Sequence, residues 1–93
     1  MNAPSLKWRA RAKAEFEALI SYIAQDNPDA AQELRNEFLI KVGMLPLHPR
    51  LYRSGQIADT REMVIRRNYI VVYTETAEVV TVLRVIHAAR QWP

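Results

Sequence analysis

The apolar residues of this 93-residue chain change their spacing once, and that change limits the folds available to it. In the first half, apolar residues recur every three or four positions, which is the period of an amphipathic helix. From Arg61 onward they alternate or run together in short segments rich in Val, Ile, Thr and Tyr, as strands do. Helices followed by a run of strands indicate an α+β domain.

Two helices are predicted in the first half. The first covers about Ala10 to Gln25, and the second begins after Asn27, a good N-cap that precedes Pro28. Their predicted buried stripes are Ala12, Phe16, Leu19, Ile20 and Tyr22/Ile23 in the first helix, and Ala31, Leu34, Phe38, Val42 and Leu45 in the second. Pro46 closes the second helix. Because the linker is so short, the helices should form an antiparallel hairpin.

The strands are predicted at both ends of the chain. Leu6, Trp8 and Ala10 alternate with basic residues and form a short first strand. After a loop from Leu47 to Thr60, three strands are predicted over Arg61 to Arg67, Tyr69 to Thr74 and Val79 to His87. Their linkers are too short for crossovers, so they form an antiparallel meander, with Asn68 left-handed in the first turn.

The predicted fold is therefore α+β, in the order β-α-α-β-β-β. An N-terminal strand precedes an antiparallel helical hairpin, which packs on one face of a small antiparallel sheet. Residues 1–93 are expected to form a single domain.

Composition narrows the class of protein. The chain has no cysteine, and its first residues contain no long apolar run that would indicate a signal peptide. No segment approaches the ~20 apolar residues of a membrane span. A cytoplasmic protein is expected, without membrane contact, cofactor or clustered metal ligands. Ten of the thirteen basic residues are arginine in a chain of formal charge +3, which fits either an acidic partner or an ordinary solvated surface.

The last strand is apolar on both of its faces. Between Val79 and Ile86 only Thr81 and Arg84 interrupt the apolar run, whereas a helical hairpin covers one face of a small sheet. The other face is expected to expose Val and Leu as a partner surface, unless the C-terminal tail with Trp92 folds over it.

The residues that carry reactive groups allow two interpretations. His87, together with a basic cluster on the first and last meander strands, resembles the imidazole and cations of a metal-free ribonuclease; the cluster comprises Arg61, Arg66, Arg67, Arg84 and Arg90. The structural alternative makes Arg66 and Arg67 a solvated hairpin end, and Arg84 a buried arginine bound by Glu62 or a carbonyl. The spacing favours the structural alternative.

An ordered set of segments resembles the ParE branch of the RelE/ParE toxin superfamily. These segments are Trp8 and Ala12, YIAQDNPDAA from Tyr22, Leu45 and Pro49, TREMVI from Thr60, YIVVY from Tyr69, and the terminal VLRVIHAARQWP. The resemblance covers nearly the whole chain and implies the fold described above. It also implies a toxin of a type II toxin–antitoxin system, associated with growth arrest and plasmid stabilisation.

The resemblance further implies a target and a partner. ParE-like toxins inhibit DNA gyrase and have no established nuclease residues, so no catalytic residue is predicted. The implied antitoxin is a ParD-like ribbon-helix-helix protein, through which alone the complex would contact operator DNA. Its disordered C-terminal part is expected to cover Val80 and Val82 on the sheet and Leu39 and Ile40 on the second helix. Arg66, Arg67, Arg90 and Trp92 are the predicted target-binding residues.

RelE-like relatives instead cut mRNA on the ribosome, and the sequence departs from their pattern. Met63, Ile65 and Ile70 stand where that branch places cations, and no tyrosine follows the last strand. These departures argue against RNA cleavage. His87, with Arg61 and Arg90, keeps an RelE-like endoribonuclease as the alternative, beside a relative that has lost activity.

Overall fold

The computed structural model describes residues 3–88, which contain five strands and two helices. In chain order these are β1 (Ser5–Trp8), α1 (Ala10–Asp26), α2 (Pro28–Gly43), β2 (Arg53–Ser54), β3 (Arg61–Ile65), β4 (Tyr69–Glu75) and β5 (Val79–His87). The predicted β-α-α-β-β-β order is confirmed, with the short β2 added inside the predicted loop.

The sheet has the strand order β1-β5-β4-β3-β2 and is mixed. The meander β3-β4-β5 is antiparallel as predicted, but β1 lies parallel to β5, with Ser5 opposite Val79 and Trp8 opposite Val82. The prediction of a purely antiparallel sheet is therefore wrong. The helical hairpin between β1 and the meander acts as the long connection that a parallel pair needs.

The junction between the helices follows the sequence signals closely. The side chain of Asn27 accepts a hydrogen bond from the backbone N–H of Ala30 at 3.0 Å, and Pro28 occupies the first helical turn. Regular α-helix ends at Gly43, and the chain continues in tighter turns in which Leu47 N–H donates to the Met44 carbonyl at 3.0 Å. The hairpin therefore forms as predicted, and α2 ends two residues before Leu45.

A chain of aromatic rings joins the hairpin to the sheet. The ring centroids of Trp8 and Phe16 lie 5.5 Å apart, those of Phe16 and Phe38 5.2 Å, and those of Phe38 and Tyr69 5.8 Å. Tyr73 is fully buried beside them, and its hydroxyl donates to the carbonyl of Pro49 at 2.6 Å. Burial raises the pKa of Tyr73 to about 12, so this hydroxyl stays protonated at neutral pH.

The turn between β3 and β4 differs from its prediction. Arg66 and Arg67, not Asn68, hold left-handed backbone angles, with φ of 53° and 62°. Ile65 pairs with Tyr69, so β3 ends two residues earlier than predicted and three residues form the turn. Each left-handed arginine costs about 1–2 kcal/mol in local backbone energy.

A β-bulge in β5 changes which of its side chains face the main core. Val82 pairs with Tyr73 and Arg84 with Val72, so Leu83 has no partner on β4. Val80, Val82 and Val85 lie in the main core, whereas Ile86 forms a second small cluster with Ile70 and Val72. No apolar residue between 79 and 86 is exposed, so the expected uncovered face on this strand is wrong. Trp92, its proposed cover, lies outside the described residues.

Candidate functional surfaces

Glu15 on α1 accepts hydrogen bonds from the part of β5 that extends beyond its pairing with β1. One carboxylate oxygen accepts the backbone N–H of Val85 at 3.0 Å, and the other accepts Arg84 Nη2 at 2.7 Å. Arg84 Nε lies 3.0 Å from both oxygens. Arg84, for which the sequence suggested a buried position bound by Glu62 or a carbonyl, is half-buried and binds the carboxylate of Glu15.

The charge state of Glu15 depends on opposing effects. Partial burial raises the pKa of the Glu15 carboxyl, but the hydrogen bonds from Arg84 and Val85, with the charges of Arg84 and Arg11, outweigh it. The net pKa is below the ordinary value of 4.5. The carboxylate is ionised at neutral pH, which is the form that both partners require.

A groove beside Glu15 runs between α1 and the ends of β4 and β5. It has a volume of about 640 Å³ and is lined by Glu15, Leu19, Tyr22, Tyr69, Val85 and His87, among others. The Tyr69 and His87 rings meet edge to face at 5.5 Å. Tyr22, predicted in the buried stripe, is 71% exposed because it lies about 120° around the helix from the buried Phe16 and about 100° from Ile23.

The alternative catalytic residues do not come together in the described part of the chain. His87 pairs with Tyr69 at one end of β4, whereas Arg61 pairs with Tyr73 near the other. Four residues of strand separate these positions by roughly 13 Å. Arg61 instead donates to the carbonyl of Tyr52 at 2.9 Å. Arg90 lies outside the described residues.

The predicted target-binding arginines at the hairpin turn have different surroundings. Arg66 Nε donates to Glu37 on α2 at 2.7 Å, so the turn is tied to the helix. Hydrogen bonds from Lys41 and Arg66 lower the pKa of Glu37, which keeps its charge. Arg67 is exposed and makes no hydrogen bond or ion pair within residues 3–88. Trp92, like Arg90, lies outside the described residues.

The four predicted antitoxin-binding residues divide into two pairs. Val80 and Val82 are 0% exposed beneath the helices, so they form core and not surface, and this prediction is wrong. Leu39 and Ile40 on α2 are exposed and form surface as predicted. Met44 and Leu47 extend this exposed apolar surface. Met44 was missed because it lies between the predicted stripe residues Val42 and Leu45, and Leu47 was missed because it begins the predicted loop.

Neither a cluster of metal-binding side chains nor a membrane-spanning helix occurs in residues 3–88. Residues 3–88 contain no group of three or more His, Asp or Glu side chains that could hold a metal ion. Neither helix in the described part of the chain is long and apolar enough to cross a bilayer.

Residues 3–88 thus fold as a hairpin of two helices on a five-stranded mixed sheet. A solved structure titled "Chromosomal ParDE TA system from P. aeruginosa" has this fold, with a TM-score of 0.80. It is 17% identical in sequence, and the match covers 91% of this chain and 96% of that one.

Sequence comparison gives the family. The sequence model of the ParE toxin of the type II toxin–antitoxin system parDE matches residues 6–92, so the chain belongs to the ParE toxin family. The protein Y4kP of Sinorhizobium fredii is 34% identical over 94 residues, which cover 100% of this chain and 97% of that protein. Toxin RelE2 of Caulobacter vibrioides is 32% identical over 83 residues, or 89% and 93% of the two chains.

Replacing Glu15 with glutamine tests its role at the β5 edge. Glu15→Gln should lower the free energy of unfolding by about 1–3 kcal/mol at pH 7, because the hydrogen bonds from Arg84 lose their ionised acceptor. In the wild type, the stability contributed by Glu15 is present above its unfolded pKa and disappears as pH falls through its lowered folded pKa. Denaturant unfolding between pH 7 and 3 should therefore show a smaller acid loss in the variant.

Glu17→Gln is the matched control, since Glu17 lies on the same helix and binds the exposed Arg35 at 2.7 Å. It should change stability by less than about 1 kcal/mol. Equal effects of the two substitutions at pH 7 would contradict the role assigned to Glu15.

Proposed function

We propose that this chain arrests growth by inhibiting DNA gyrase and that a ParD-like ribbon-helix-helix antitoxin neutralises it. The match of residues 6–92 to the parDE toxin family carries the proposal. The similar solved structure is titled as a ParDE system, which supports a ParD-type partner. Operator DNA would be contacted through the antitoxin, since ribbon-helix-helix proteins are the DNA-binding partners that the resemblance to ParE toxins implies.

The arrangement of the sheet supports a non-nuclease toxin. Met63 and Ile65 are 1% and 0% exposed and fill the core, so neither position offers a surface for a cation. His87 and Arg61 lie near opposite ends of β4 and do not face one phosphate. A metal-free ribonuclease needs its acid–base group and its cations within reach of the same scissile bond.

The exposed part of α2 is the proposed antitoxin surface. Leu39 and Ile40 are 45% and 66% exposed, although they follow directly after the buried Phe38. An amphipathic segment that orders on binding would bury them by docking along the helix. This region replaces the buried Val80 and Val82 as the apolar part of that interface.

The hairpin turn is the proposed target contact within the described residues. Arg67 combines a strained backbone, an exposed position and a charge with no partner in residues 3–88. Strain of this kind concentrates at functional sites. Arg90 and Trp92 remain proposed target contacts from the sequence alone.

A second candidate function is ribosome-dependent mRNA cleavage. The relative named Toxin RelE2, at 32% identity, favours it. In that case His87 would be the acid–base residue and Arg90 the cation, because Arg61 lies near the other end of β4.

Expression in a growth assay separates the two candidate functions. Induction should stop growth, stall replication and induce the DNA-damage response, and the purified chain should reduce supercoiling by gyrase. His87→Gln should retain toxicity, because glutamine keeps hydrogen-bonding capacity without proton transfer near neutral pH.

Codon-specific cuts in translated mRNA, abolished by His87→Gln, would establish the RelE-like function instead. Unimpaired growth with a folded protein would identify a relative that has lost activity. Circular dichroism of each variant controls for folding.

Arg67→Gly tests whether the turn contacts the target, because it should preserve or raise stability while lowering toxicity. Glycine adopts φ near 62° without steric cost, so the free energy of unfolding should rise or stay within about 1 kcal/mol of wild type. Toxicity should fall at least about tenfold, because the exposed cation is lost. Asp59→Gly, which relieves a φ of 65° in the loop before β3, should keep toxicity.

The antitoxin surface is tested by replacing Leu39 and Ile40 together with glutamine. The antitoxin dissociation constant should rise at least about tenfold, which corresponds to ~1.4 kcal/mol of lost apolar contact. Val64→Gln is the control, since Val64 is 40% exposed on β3. Unchanged antitoxin binding in the double variant, measured by calorimetry, would place the interface elsewhere.

A further inference from the structure

Three buried apolar residues lie on the face of the sheet that is turned away from the helices. Val71 and Tyr73 of β4 belong to the main core beneath the helices, and side chains alternate between the two faces along a strand. Ile70 and Val72 therefore point to the opposite face, where they form a far-face cluster with Ile86 of β5. The three residues are 9%, 0% and 6% exposed, although a sheet face open to solvent leaves its side chains accessible.

No apolar side chain from elsewhere in residues 3–88 packs against the far-face cluster. The main core, in contrast, has partly buried residues such as Leu19 and Ile20 packed against it. Val64 of β3 points to the same face as the cluster, since its neighbours Met63 and Ile65 lie in the main core, and it is 40% exposed. The described residues leave this part of the face open, so burial of the far-face cluster requires a further cover.

We propose that residues 89–93 of the same chain cover the far-face cluster, with Trp92 as the docked side chain. The backbone N–H of Ala88 donates to the carbonyl of Asn68 at 2.6 Å, so the chain leaves β5 beside the turn that precedes β4. Val72 lies four residues beyond Asn68, or roughly 13 Å along the strand. Trp92 follows Ala88 by four residues, and an extended segment of that length spans about 14 Å, which brings the indole over the cluster.

The chemistry of this face suits an indole ring. Val72 is the apolar centre, and its partners on the two adjacent strands are Glu62 and Arg84. An indole buries a large apolar area, its face attracts a guanidinium group, and its N–H can donate to a carboxylate. Trp92 is the only large apolar side chain in residues 89–93.

The chain's own end is favoured over a partner protein as the cover. The low exposed fractions of the far-face cluster are those of the single chain, so no second protein is needed to bury it. The docked position of Trp92 is also independent of the target, whether gyrase or mRNA. Trp92 would contact a target only after leaving the cluster, whereas Arg90 is not needed for the cover.

Thiol labelling tests the proposed cover, because the chain has no cysteine of its own. Val72→Cys places a single thiol in the far-face cluster. Val71→Cys is the matched control on the face that the helices cover, and both valines are 0% exposed. Both variants should react slowly with a thiol reagent in the full-length chain. Removal of residues 89–93 should raise the labelling rate at position 72 at least about tenfold and leave position 71 protected.

Nuclear magnetic resonance of the unmodified chain locates Trp92 directly, so the outcome does not depend on whether the shortened chain folds. Nuclear Overhauser contacts are expected between the indole protons of Trp92 and the methyl groups of Ile70, Val72 or Ile86. Absence of these contacts in the folded chain would overturn the proposal. So would a thiol at position 72 that reacts no faster after removal of residues 89–93 while position 71 stays protected.

Thermal unfolding adds a measurement of the docked side chain. Trp92→Ala should lower the melting temperature by at least about 4 °C, because the far-face cluster loses its apolar cover. Gln91→Ala is the control and should shift the melting temperature by less than Trp92→Ala. Equal melting temperatures of the wild type and Trp92→Ala would contradict the docked position.

Discussion

The carboxylate of Glu15 joins the helices to the sheet at the point where regular strand pairing stops. β1 pairs with β5 only as far as Val82, whereas β5 continues to His87. Val85 is 5% exposed, so its backbone N–H would destabilise the fold if it were buried without a hydrogen-bond acceptor. Glu15 provides that acceptor at 3.0 Å. The same carboxylate binds Arg84, which lies next to the bulge at Leu83. The position of α1 over the sheet, and hence the groove between them, depends on this contact.

Helix α2 carries apolar residues both on the side that packs against the sheet and on the opposite, exposed side. Phe38 and Val42 are buried against the sheet, whereas Ile40 and Met44 between and after them are exposed. A helix that is apolar on nearly all sides in its last two turns is suited to burial on both sides. The sheet covers one side of α2 in the single chain. The antitoxin proposed above would cover the other side.

The helices and strands were predicted well because the spacing of apolar residues and the capping of helices are local properties of the sequence. Asn27-Pro28 located the helical junction, and the change from helical to strand spacing located the meander. The parallel pairing of β1 was missed because a four-residue strand carries no information on the direction of its neighbour. Glu15 was missed because its partners lie 69 and 70 positions away in the chain. Val80 and Val82 were assigned to a free surface because a continuous apolar run does not show which face the helices cover, nor that Leu83 bulges.

The distribution of arginine partners bears on what the protein recognises. Arg35, Arg53, Arg66 and Arg84 each bind a carboxylate of the same chain at 2.7–2.9 Å. Most of the arginine bias therefore serves to hold the helices, the hairpin turn and the strand edges together, and the cations are neutralised locally. Nucleic-acid binding depends instead on several cations left free to neutralise phosphates along a path. The exposed Arg67 at the strained turn and the exposed apolar residues of α2 match the composition of protein interfaces, in which arginine and apolar anchors supply most of the affinity.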